Sequence, residues 1–510
     1  MESLSEDVWD VVIAGTSLQQ SLLALSLSRS GKRVLHLDRN EWYGGSDAGL
    51  SLNDVETWMR EIENGHNPQF SSPAVWKRDV AEVDDPARLG PSRAYTLALR
   101  PQIIHARSEF LTALVSSRIA PQLEFVAVGS WWVLGQTGLR KIPSTREAVF
   151  NDDSLSIRDK RSLMKMLRHV LQDEAEQAPE VRTEPKQTLE EVLEAFKVPS
   201  SLHSAVQALA LTTQSTTRTD AQPSLRQVRR HLQSIGHLGP GFGAVIAKYG
   251  SNPEIAQVAC RALAVGGGVY LLGHGIASFK NDPTVDASDF DAPSGKEKPY
   301  HLELTDHTKI RTRRIVAGEG DLPSTKEPTR RESIQTLQSI SVISKPLKPL
   351  LAPDSDSGPT PAAAIVLVES QPGTTSNPIY LQIHSEDTGE CPVGQSIIYA
   401  SVQQGGKESI KDLSDAVQRL LSYLEQSDEG IEAAQILWTL SFTSHGTQQP
   451  PDAEEPPSGL SILAASPFSP AVSDEILAAV RTVWQDVTDG QLDYSDFLRF
   501  EDREEEVEDV

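Results

Sequence analysis

Residues 10–38, DVVIAGTSLQQSLLALSLSRSGKRVLHLD, decide the fold of this chain. They contain an apolar run ending at Gly15, a helix-like segment from Thr16 to Ser28, and a second apolar run ending at Asp38. Asp38 stands 23 positions after the first glycine. A strand, a glycine turn, a helix and a second strand with a terminal acid are the layout of a dinucleotide-binding unit. The sequence therefore predicts an α/β fold of the Rossmann type.

The glycine pattern of that unit is degenerate. A dinucleotide fingerprint has glycine at three spaced positions, so that the backbone can approach a pyrophosphate and the helix can lie close to the strand. Those positions are here Gly15, Ser17 and Gln20. A Cβ at Ser17 would crowd the phosphate, and we expect the long amide of Gln20 to push the helix away from the sheet. The sequence thus predicts an FAD-binding-like domain without its cofactor, in which Asp38 completes the degenerate motif.

The formal net charge of −24 in 510 residues limits the partners of the chain. An acidic surface repels the phosphates of nucleic acid and disfavours unaided docking on an anionic membrane. The two cysteines, Cys260 and Cys391, cannot build a disulfide framework, which fits a reducing compartment. The N-terminus lacks the regions of a signal peptide, and the apolar run 259–279 is too interrupted for a transmembrane helix. We expect a soluble cytoplasmic protein.

Hydrophobic periodicity divides the chain into a discontinuous α/β domain and an inserted helical domain. We predict the α/β domain over residues 1–145 and 237–446, and the all-helical domain over 146–236, where apolar residues recur at helical spacing. Segments rich in Pro, Ser and Lys are expected to be flexible loops, and a linker, a C-terminal segment and an acidic tail are expected at the end. The flexible loops are 281–298, 318–332 and 345–362. The linker is 447–458, the C-terminal segment is 459–500 and the acidic tail is 501–510.

A second informative segment is 249–261, YGSNPEIAQVACR. Asn252 is suited to cap a helix, and Glu254 is favourable in the positively polarised first turn that would follow. Glu254, Gln257 and Arg261 would then share one helix face, because they are spaced i, i+3 and i+7. An ordinary solvated helix face shows the same pattern, so the other motifs in the chain decide its interpretation.

Taken together, these segments resemble the family of Rab GDP-dissociation inhibitors and Rab escort proteins. The first strand–helix–strand block alone is also typical of flavin oxidases, whereas that block followed by the Tyr-Gly-x-x-Pro-Glu helix is specific to the family. The matching stretches are 10–16 (DVVIAGT), 31–45 (GKRVLHLDRNEWYGG) and 249–261, supported by 141–151 (KIPSTREAVFN) and 160–165 (KRSLMK). The resemblance covers most of residues 8–280.

The resemblance implies a binding platform for GDP-bound small GTPases of the Rab class. In the family, a tyrosine of the Tyr-Gly-Gly segment and a Glu and an Arg of the later helix contact the GTPase. Here these are Tyr43, next to Gly44, and Glu254 and Arg261, with Gln257 between them. A rigid aromatic beside an opposed acid and base suits a mobile, charged switch surface. The resemblance implies an accessory protein with no catalytic residue, cofactor or metal of its own.

The inserted helical domain has a role in this interpretation. A geranylgeranyl chain in water costs roughly 0.8 kcal/mol per CH₂, so a soluble carrier must shield it. An apolar groove between small helices would do so, although a plain helical subdomain explains the sequence equally well. In escort proteins this domain also docks Rab geranylgeranyl transferase. By position, the docking surface would lie on the 156–172 helix, around Met166 and His169.

The long insertions at 281–362 and the extended C-terminus favour the escort branch of the family. The protein would then bind GDP-bound Rab, present it to the transferase, and carry the prenylated Rab to membranes in transient contacts. The alternative is a Rab GDP-dissociation inhibitor that extracts prenylated Rab from membranes. A remote alternative is a flavin-dependent oxidoreductase, which Ser17 and Gln20 disfavour.

The stretch 488–497, TDGQLDYSDF, resembles half of an EF-hand loop. Aligning Gly490 with the invariant turn puts Gln485 and Val487 at the first ligand positions, and Asp496 replaces the closing glutamate. Because these ligands are missing, we expect no useful calcium affinity. The histidines show no metal-ligand spacing, and we predict no metal site.

Overall fold

The computed structural model describes most of the chain, in ranges separated by gaps. These ranges are residues 4–5, 8–79, 88–143, 146–151, 155–172, 187–239, 242–281, 300–323, 333–353, 360–369, 376–406, 408–427, 433–447 and 457–500. The helices are α1 Leu18–Arg29, α2 Leu52–Glu63, α3 Glu109–Ser116, α4 Arg146–Asn151, α5 Ile157–Leu171, α6 Leu189–Ala195, α7 His203–Ala210, α8 Ala221–Ser234, α9 Asn252–Val265, α10 Ile410–Ser427 and α11 Glu475–Val487. The strands are β1 Val8–Ala14, β2 Val34–Leu37, β3 Gly49–Leu50, β4 Phe70–Lys77, β5 Leu97–Ala98, β6 Ile104–His105, β7 Phe125–Gly135, β8 Gly138–Lys141, β9 Ala244–Ala247, β10 Val269–Leu271, β11 Ile276–Asn281, β12 Tyr300–Leu304, β13 Lys309–Gly318, β14 Ile334–Ile343, β15 Ala363–Val368, β16 Ile379–Ser385, β17 Ser396–Gln403, β18 Ile436–Gly446 and β19 Leu460–Leu463. Among the helices of these ranges, none combines the length and apolarity that a membrane crossing requires.

The first sheet contains the strands predicted from residues 10–38. Its order is β10-β2-β1-β13-β12-β11, and β19 also pairs with β13. Strands β10, β2, β1, β13 and β19 pair in parallel, whereas β12 and β11 add an antiparallel extension. Helix α1 connects the adjacent parallel strands β1 and β2, as a crossover helix does. The prediction of an α/β fold of the Rossmann type is confirmed.

Helices α1, α9 and α11 share one hydrophobic core on a face of the first sheet. In this core Ile13 of β1, Leu22 of α1, Val258 of α9 and Trp484 of α11 are fully buried. Helix α1 is buried at nearly every position because it contacts the sheet and both later helices. Helix α9, which carries the predicted platform residues, is therefore anchored on the core of the first sheet.

The second sheet is larger and mostly antiparallel. Its order is β4-β18-β14-β17-β16-β15-β7-β9-β6, with β8 paired to β7, and β15 and β7 form its parallel pair. Helix α10 packs on one face, against Ile398 and Ala400 of β17. The other face holds Tyr399 in one cluster with Trp58 of α2. Neighbouring residues of β17 reach opposite faces because side chains alternate along a strand.

Helices α4–α8 form the inserted helical region. Its core contains Met166, Leu193, Phe196, Val206 and Val228, drawn from α5 to α8 and from the end of α6. Helix α7 also packs against β7 and so joins this region to the second sheet. The described helices of the region lie inside the predicted range 146–236.

The C-terminal segment 459–500 is part of the first sheet. Strand β19 pairs with β13, and Trp484 Nε1 of α11 donates a hydrogen bond to Ser30 Oγ at 2.9 Å. The EF-hand-like stretch and the end of α11 are also bound to β13. The Arg314 guanidinium donates hydrogen bonds to Asp486 of α11 at 2.7 Å and to Asp489 of the stretch at 2.9 Å. Within the described ranges, no group of His, Cys, Asp or Glu is suited to hold a metal ion.

Parts of two predicted flexible loops make contacts with the rest of the fold. In 345–362, residues Lys348–Leu351 form a 3-10 turn, because Leu350 is fully buried in the core beneath α10. In 318–332, Asp321 is held against the first sheet by a hydrogen bond from Gly318 N at 3.1 Å. Outside the described residues lie 282–298 of the predicted loop 281–298, 324–332 and 354–359 of the other two loops, most of the 447–458 linker, and the 501–510 tail.

Buried histidines should make the fold sensitive to acid. Burial lowers the pKa of His36 and of His231 from 6.5 to about 4, and that of His105 to about 3. Between pH 6.5 and 4 the unfolded chain therefore binds more protons than the folded chain, so the free energy of unfolding decreases as the pH falls. Burial raises the pKa of Asp321 to about 6, which acts in the opposite direction and offsets part of the effect.

We expect the His231→Gln variant to lose stability less steeply across that pH window. The slope should decrease by up to about 1.4 kcal/mol per pH unit, the contribution of one differentially bound proton. Chemical denaturation at a series of pH values measures it, with His307→Gln as a control that changes an exposed imidazole. An unchanged slope in His231→Gln would contradict the assignment of His231 as a buried neutral group.

Candidate functional site

The glycine turn of the former cofactor motif is closed by Thr16 and Asp38. Asp38 follows β2, is 2% exposed, and accepts hydrogen bonds from Thr16 N at 2.9 Å and Thr16 Oγ1 at 2.5 Å. Burial raises the pKa of Asp38, and the Thr16 hydroxyl is the largest opposing influence. In a dinucleotide-binding domain the acid at this place binds a ribose hydroxyl. Here the chain's own threonine takes that bond.

Gln20 and Asp321 occupy the space over Gly15. Gln20 Nε2 donates to Ala14 O at 2.5 Å and to Asp321 Oδ2 at 2.7 Å, and Gln20 Oε1 accepts from Ser17 N at 2.9 Å. A Cβ built on Gly15 would lie 2.4 Å from Gln20 Nε2 and 2.2 Å from Asp321 Oδ2. The residues present therefore do not fit a pyrophosphate, because an amide and a carboxylate fill its path to the turn.

The prediction that Gln20 pushes α1 away from the sheet is wrong. Gln20 is 1% exposed, and α1 still packs in one core with Val11 and Ile13 of β1. The amide is accommodated because it turns toward the start of α1 and caps Ser17 N. Gln20 covers Gly15 and leaves the contact between helix and sheet intact.

A polar cleft, open to solvent, remains beside the turn. Asp47 lies in its wall and accepts a hydrogen bond from Leu18 N at 3.1 Å, while Arg100 Nε lies 3.7 Å from Asp47 Oδ1. The positive end of a helix dipole is where a nucleotide phosphate binds in dinucleotide-binding domains. At α1 an internal carboxylate takes that place.

A strained turn precedes α9. Three consecutive residues have positive φ, namely Tyr249 at 61°, Gly250 at 93° and Ser251 at 66°. This conformation costs on the order of 1–3 kcal/mol for each residue that carries a Cβ, so the surroundings must stabilise it. Tyr249 N donates to Thr388 O at 2.9 Å, and Ser251 N donates to Ala247 O at 3.0 Å. These two bonds fix the direction in which α9 leaves the turn.

The prediction that Asn252 caps α9 is wrong by one residue. Helix α9 begins at Asn252, and Ser251 takes the cap position without a side-chain hydrogen bond. Asn252 is fully buried, and its Nδ2 donates to Gln102 Oε1 at 2.8 Å. Pro253 packs close to β3, since a Cβ on Gly49 would lie 3.0 Å from Pro253 Cγ. Tertiary contacts therefore replace the local cap.

The polar residues named from the sequence form one row along α9. The neighbours of the Gln257 side-chain amide assign its orientation, with the oxygen toward Arg261 and the nitrogen toward Glu254. In this orientation the oxygen accepts from Arg261 Nη2 at 2.8 Å, and the nitrogen donates to Glu254 Oε2 at 3.3 Å. Glu254 and Gln257 are half-buried, and Arg261 is exposed. Burial raises the pKa of Glu254, and Arg261 opposes this shift. The row presents an acid, an amide and a base in fixed order.

Tyr43 lies near this row and contacts an aromatic residue that sequence reasoning missed. Its ring centroid is 6.0 Å from that of Tyr270 in β10. Burial is the main cause that raises the pKa of Tyr43, followed by the Tyr270 hydroxyl, and Arg261 acts against both. Tyr270 reaches this place because β10 pairs with β2, a strand far away in the sequence. No local pattern indicates that contact.

Gly44 fixes the segment that carries Tyr43. Its φ is 101°, and a Cβ there would lie 2.8 Å from Ala48 Cα, so only glycine fits without strain. Gly44 N donates to Thr16 Oγ1 at 3.0 Å. The Tyr43 segment is therefore tied to the closed glycine turn through Thr16.

Met166 and His169 lie inside the helical region. Met166 is fully buried, and His169 is 8% exposed with its ring 5.1 Å from that of Phe196. These side chains face the interior, so they do not provide the surface contact that their position suggested. The charged residues that α5 exposes are Arg158, Arg161, Lys165 and Arg168.

The comparison with protein families identifies the chain. It matches the model of the family described as GDP dissociation inhibitor over residues 4–434. The chain belongs to this family. It is 25% identical to the Rab proteins geranylgeranyltransferase component A of Saccharomyces cerevisiae, over 87% of this chain and 70% of that protein. It is 27% identical to the Drosophila melanogaster protein of the same name, over 85% and 80%. It is 23% identical to the Rab GDP-dissociation inhibitor of Saccharomyces cerevisiae, over 84% and 87%.

Solved structures agree with the predicted fold. A Rab GDI from Plasmodium falciparum is similar with a TM-score of 0.66 at 17% identity, covering 96% of this chain and 99% of that one. An oxidoreductase from Methanosarcina mazei is similar with a TM-score of 0.54 at 14% identity, covering 93% and 99%. At these identities the likeness concerns the fold alone. The family resemblance and the fold class predicted from the sequence are both confirmed.

Replacing Gly15 by alanine should destabilise the fold more than replacing Gly31. Both residues have positive φ, where a Cβ costs about 1–2 kcal/mol. A Cβ at Gly15 would collide with Gln20 and Asp321, whereas nothing lies within 4 Å of one at Gly31. We expect Gly15→Ala to reduce the free energy of unfolding by about 2 kcal/mol more than Gly31→Ala. Chemical denaturation measures both; equal losses would show that the space over Gly15 is open.

Proposed function

We propose that this chain is a Rab escort protein. It would bind GDP-bound Rab, present it to Rab geranylgeranyl transferase, and carry the prenylated Rab to membranes. Family membership and the relatives named as components of Rab geranylgeranyltransferase support the proposal. The observation that carries it is the Glu254–Gln257–Arg261 row next to Tyr43, which we call the platform. The chain would be an accessory component, and the transferase would perform the chemistry.

The platform would act through charge and shape. Tyr43 offers a half-buried aromatic surface, and Glu254 and Arg261 offer an acid and a base on one helix face. A GTPase switch surface with complementary charges can pair with both. Because Gln257 links the two charged side chains before binding, less conformational entropy is lost when the partner arrives. Preference for the GDP state follows if the GTP-bound switch arrangement cannot reach these groups.

Charge reversal at Arg261 tests the platform. We expect Arg261→Glu to weaken binding of GDP-loaded Rab by about 30-fold or more, since it removes one charge pair and places a second acid near Glu254. Isothermal titration with purified chain measures the affinity. Lys411→Glu is the matched control, because Lys411 is exposed on α10, which packs in a different hydrophobic core from α9. If Arg261→Glu binds Rab as the control does, the platform lies elsewhere.

The helical region is the proposed carrier of the lipid. Moving a geranylgeranyl chain from water to an apolar site is favourable by roughly 0.8 kcal/mol for each buried CH₂. A carrier therefore needs an apolar surface large enough to bury the chain. Leu163 and Leu167 of α5 and Leu232 of α8 are half-buried around the apolar core of this region. Separation of α5 from α8 would open that core to a prenyl chain.

We propose that the transferase docks on the outer face of α5. Arg158, Arg161, Lys165 and Arg168 are exposed and follow one another at spacings of three and four residues, so they share a face. A basic face on a chain of net charge −24 suits an acidic docking partner. Met166, on the inner side of the same helix, would support this surface through packing.

Reversing charge on this face should separate transferase docking from Rab binding. We expect Arg161→Glu/Lys165→Glu to slow Rab prenylation at least about tenfold at limiting transferase, because two docking charges become repulsive. The affinity for GDP-loaded Rab should stay within about twofold of the wild type, since α5 and the platform helix α9 belong to different hydrophobic cores. Initial prenylation rates and titration measure the two quantities. A normal prenylation rate would remove α5 as the docking surface.

The assay that decides the function is prenylation in vitro. Purified chain, GDP-loaded Rab, Rab geranylgeranyl transferase and labelled geranylgeranyl diphosphate are combined, with and without the chain. Label on Rab that depends on the chain supports the escort role. No transfer, together with release of prenylated Rab from membranes, supports the alternative of a Rab GDP-dissociation inhibitor. Neither activity would overturn both assignments.

A further inference from the structure

A buried hydrogen-bonded unit lies outside the platform, on β16, β17 and the segment between them. Glu390 is 0% exposed, His384 is 2% exposed and Tyr399 is 3% exposed. The Glu390 carboxylate accepts hydrogen bonds from His384 Nδ1 at 2.9 Å and from Tyr399 Oη at 2.7 Å. Burial, and then the adjacent carboxylate, raise the pKa of Tyr399, so its hydroxyl remains a donor. A carboxylate buried in this way depends on both of its donors.

This unit holds the segment 385–391, which supports the strained turn before α9. Thr388 O accepts the hydrogen bond from Tyr249 N at 2.9 Å. Gly389, at a φ of 74°, lies so close to Tyr249 that a Cβ on it would be 2.6 Å from Tyr249 Cε1. Glu390 directly follows Gly389, so its side chain fixes the end of this segment. Tyr249 is thus supported at its backbone and at its ring by residues next to Glu390.

The same unit also forms hydrogen bonds with β5 and with the residue before it. Tyr399 Oη accepts a hydrogen bond from Ala98 N at 3.1 Å, and Glu390 O accepts one from Thr96 N at 3.0 Å. Ala98 belongs to β5, which pairs with β3. A Cβ on Gly49 of β3 would lie 2.7 Å from Thr96 Cγ2, so the two strands and the start of α9 are closely packed.

We propose that Glu390, together with His384 and Tyr399, positions the platform for GTPase binding. The turn at 249–251 is unfavourable in isolation and relaxes if its surroundings loosen. Relaxation would move the start of α9 and with it Glu254. A binding site that is competent for a smaller fraction of the time has a proportionally lower apparent affinity. This inference rests on the proposed function, because bound Rab is the reporter of platform geometry.

The competing explanation is that the unit stabilises the fold and nothing more. Tyr380 of β16 provides a matched comparison within the same sheet. It is 1% exposed, and its hydroxyl donates to Gln207 O at 3.1 Å and to Thr212 O at 2.9 Å, on the side of the helical region. Removing either phenol hydroxyl leaves buried groups without a partner, and the loss of stability should be larger for Tyr399, whose acceptor is a buried carboxylate. The Tyr399 hydroxyl is the one connected to the platform.

The experiment compares Tyr399→Phe and Tyr380→Phe in the full chain. We expect both variants to unfold at a lower temperature than the wild type, with the larger decrease in Tyr399→Phe. Tyr399→Phe should raise the Kd for GDP-loaded Rab about tenfold. This is the change expected if the fraction of molecules with a binding-competent platform decreases to about one tenth. Tyr380→Phe should leave the Kd unchanged. Equal Kd values for the two variants, measured well below both unfolding temperatures, would overturn the proposal.

Hydrogen exchange of the free protein gives a second measurement that does not need Rab. In Tyr399→Phe and in the conservative Glu390→Gln, backbone amides of residues 249–255 should exchange faster than in the wild type. In Tyr380→Phe they should exchange at the wild-type rate. Unchanged exchange in both Tyr399→Phe and Glu390→Gln would overturn the positioning role. Failure of the wild-type chain to bind GDP-loaded Rab would instead overturn the proposed function, while exchange still decides what holds α9.

Discussion

The backbone turn at residues 249–251 is the constraint on which the candidate site depends. Successive positive φ values are unfavourable for residues with a Cβ, so the turn persists only where tertiary contacts hold it. Those contacts come from Thr388, Ala247 and Gln102, which lie on different strands and loops. The direction of α9, and hence the location of Glu254, therefore depends on strands and loops of the second sheet and not on the helix sequence alone.

The other half of the site uses a cofactor fold whose ligand positions are filled from within. Thr16 takes the hydrogen bond of Asp38, Asp47 occupies the N-terminus of α1, and Gln20 covers Gly15. These side chains make hydrogen bonds at the positions where a dinucleotide would bind in a cofactor-binding domain. The Thr16 hydroxyl that closes the glycine turn also accepts a hydrogen bond from Gly44 N. Closure of the turn and placement of Tyr43 are therefore linked.

The sequence predicts those elements well whose formation depends on a local pattern of residues. Strand β1, helix α1 and strand β2 have their own periodicity, and residues spaced i, i+3 and i+7 share a helix face in any context. The sequence does not predict the contacts of Tyr270 and Asp321, because both depend on pairing between strands that are distant in the sequence. Tyr270 lies on β10, which pairs with β2, and Asp321 follows β13, which pairs with β1. Met166 and His169 show a different limit: periodicity defines the faces of α5, but packing against its neighbours decides which face turns inward.

The distribution of charge matters more here than its sum. A net charge of −24 describes the average surface, yet salt screens surface charges beyond about 8 Å, so docking is decided locally. The basic face of α5 and the mixed-charge platform on α9 are separate surfaces in separate hydrophobic cores. Two partners held on these surfaces would be confined to one chain, and each would experience a raised effective concentration of the other. Proximity of this kind can accelerate a reaction between two partners bound to one chain.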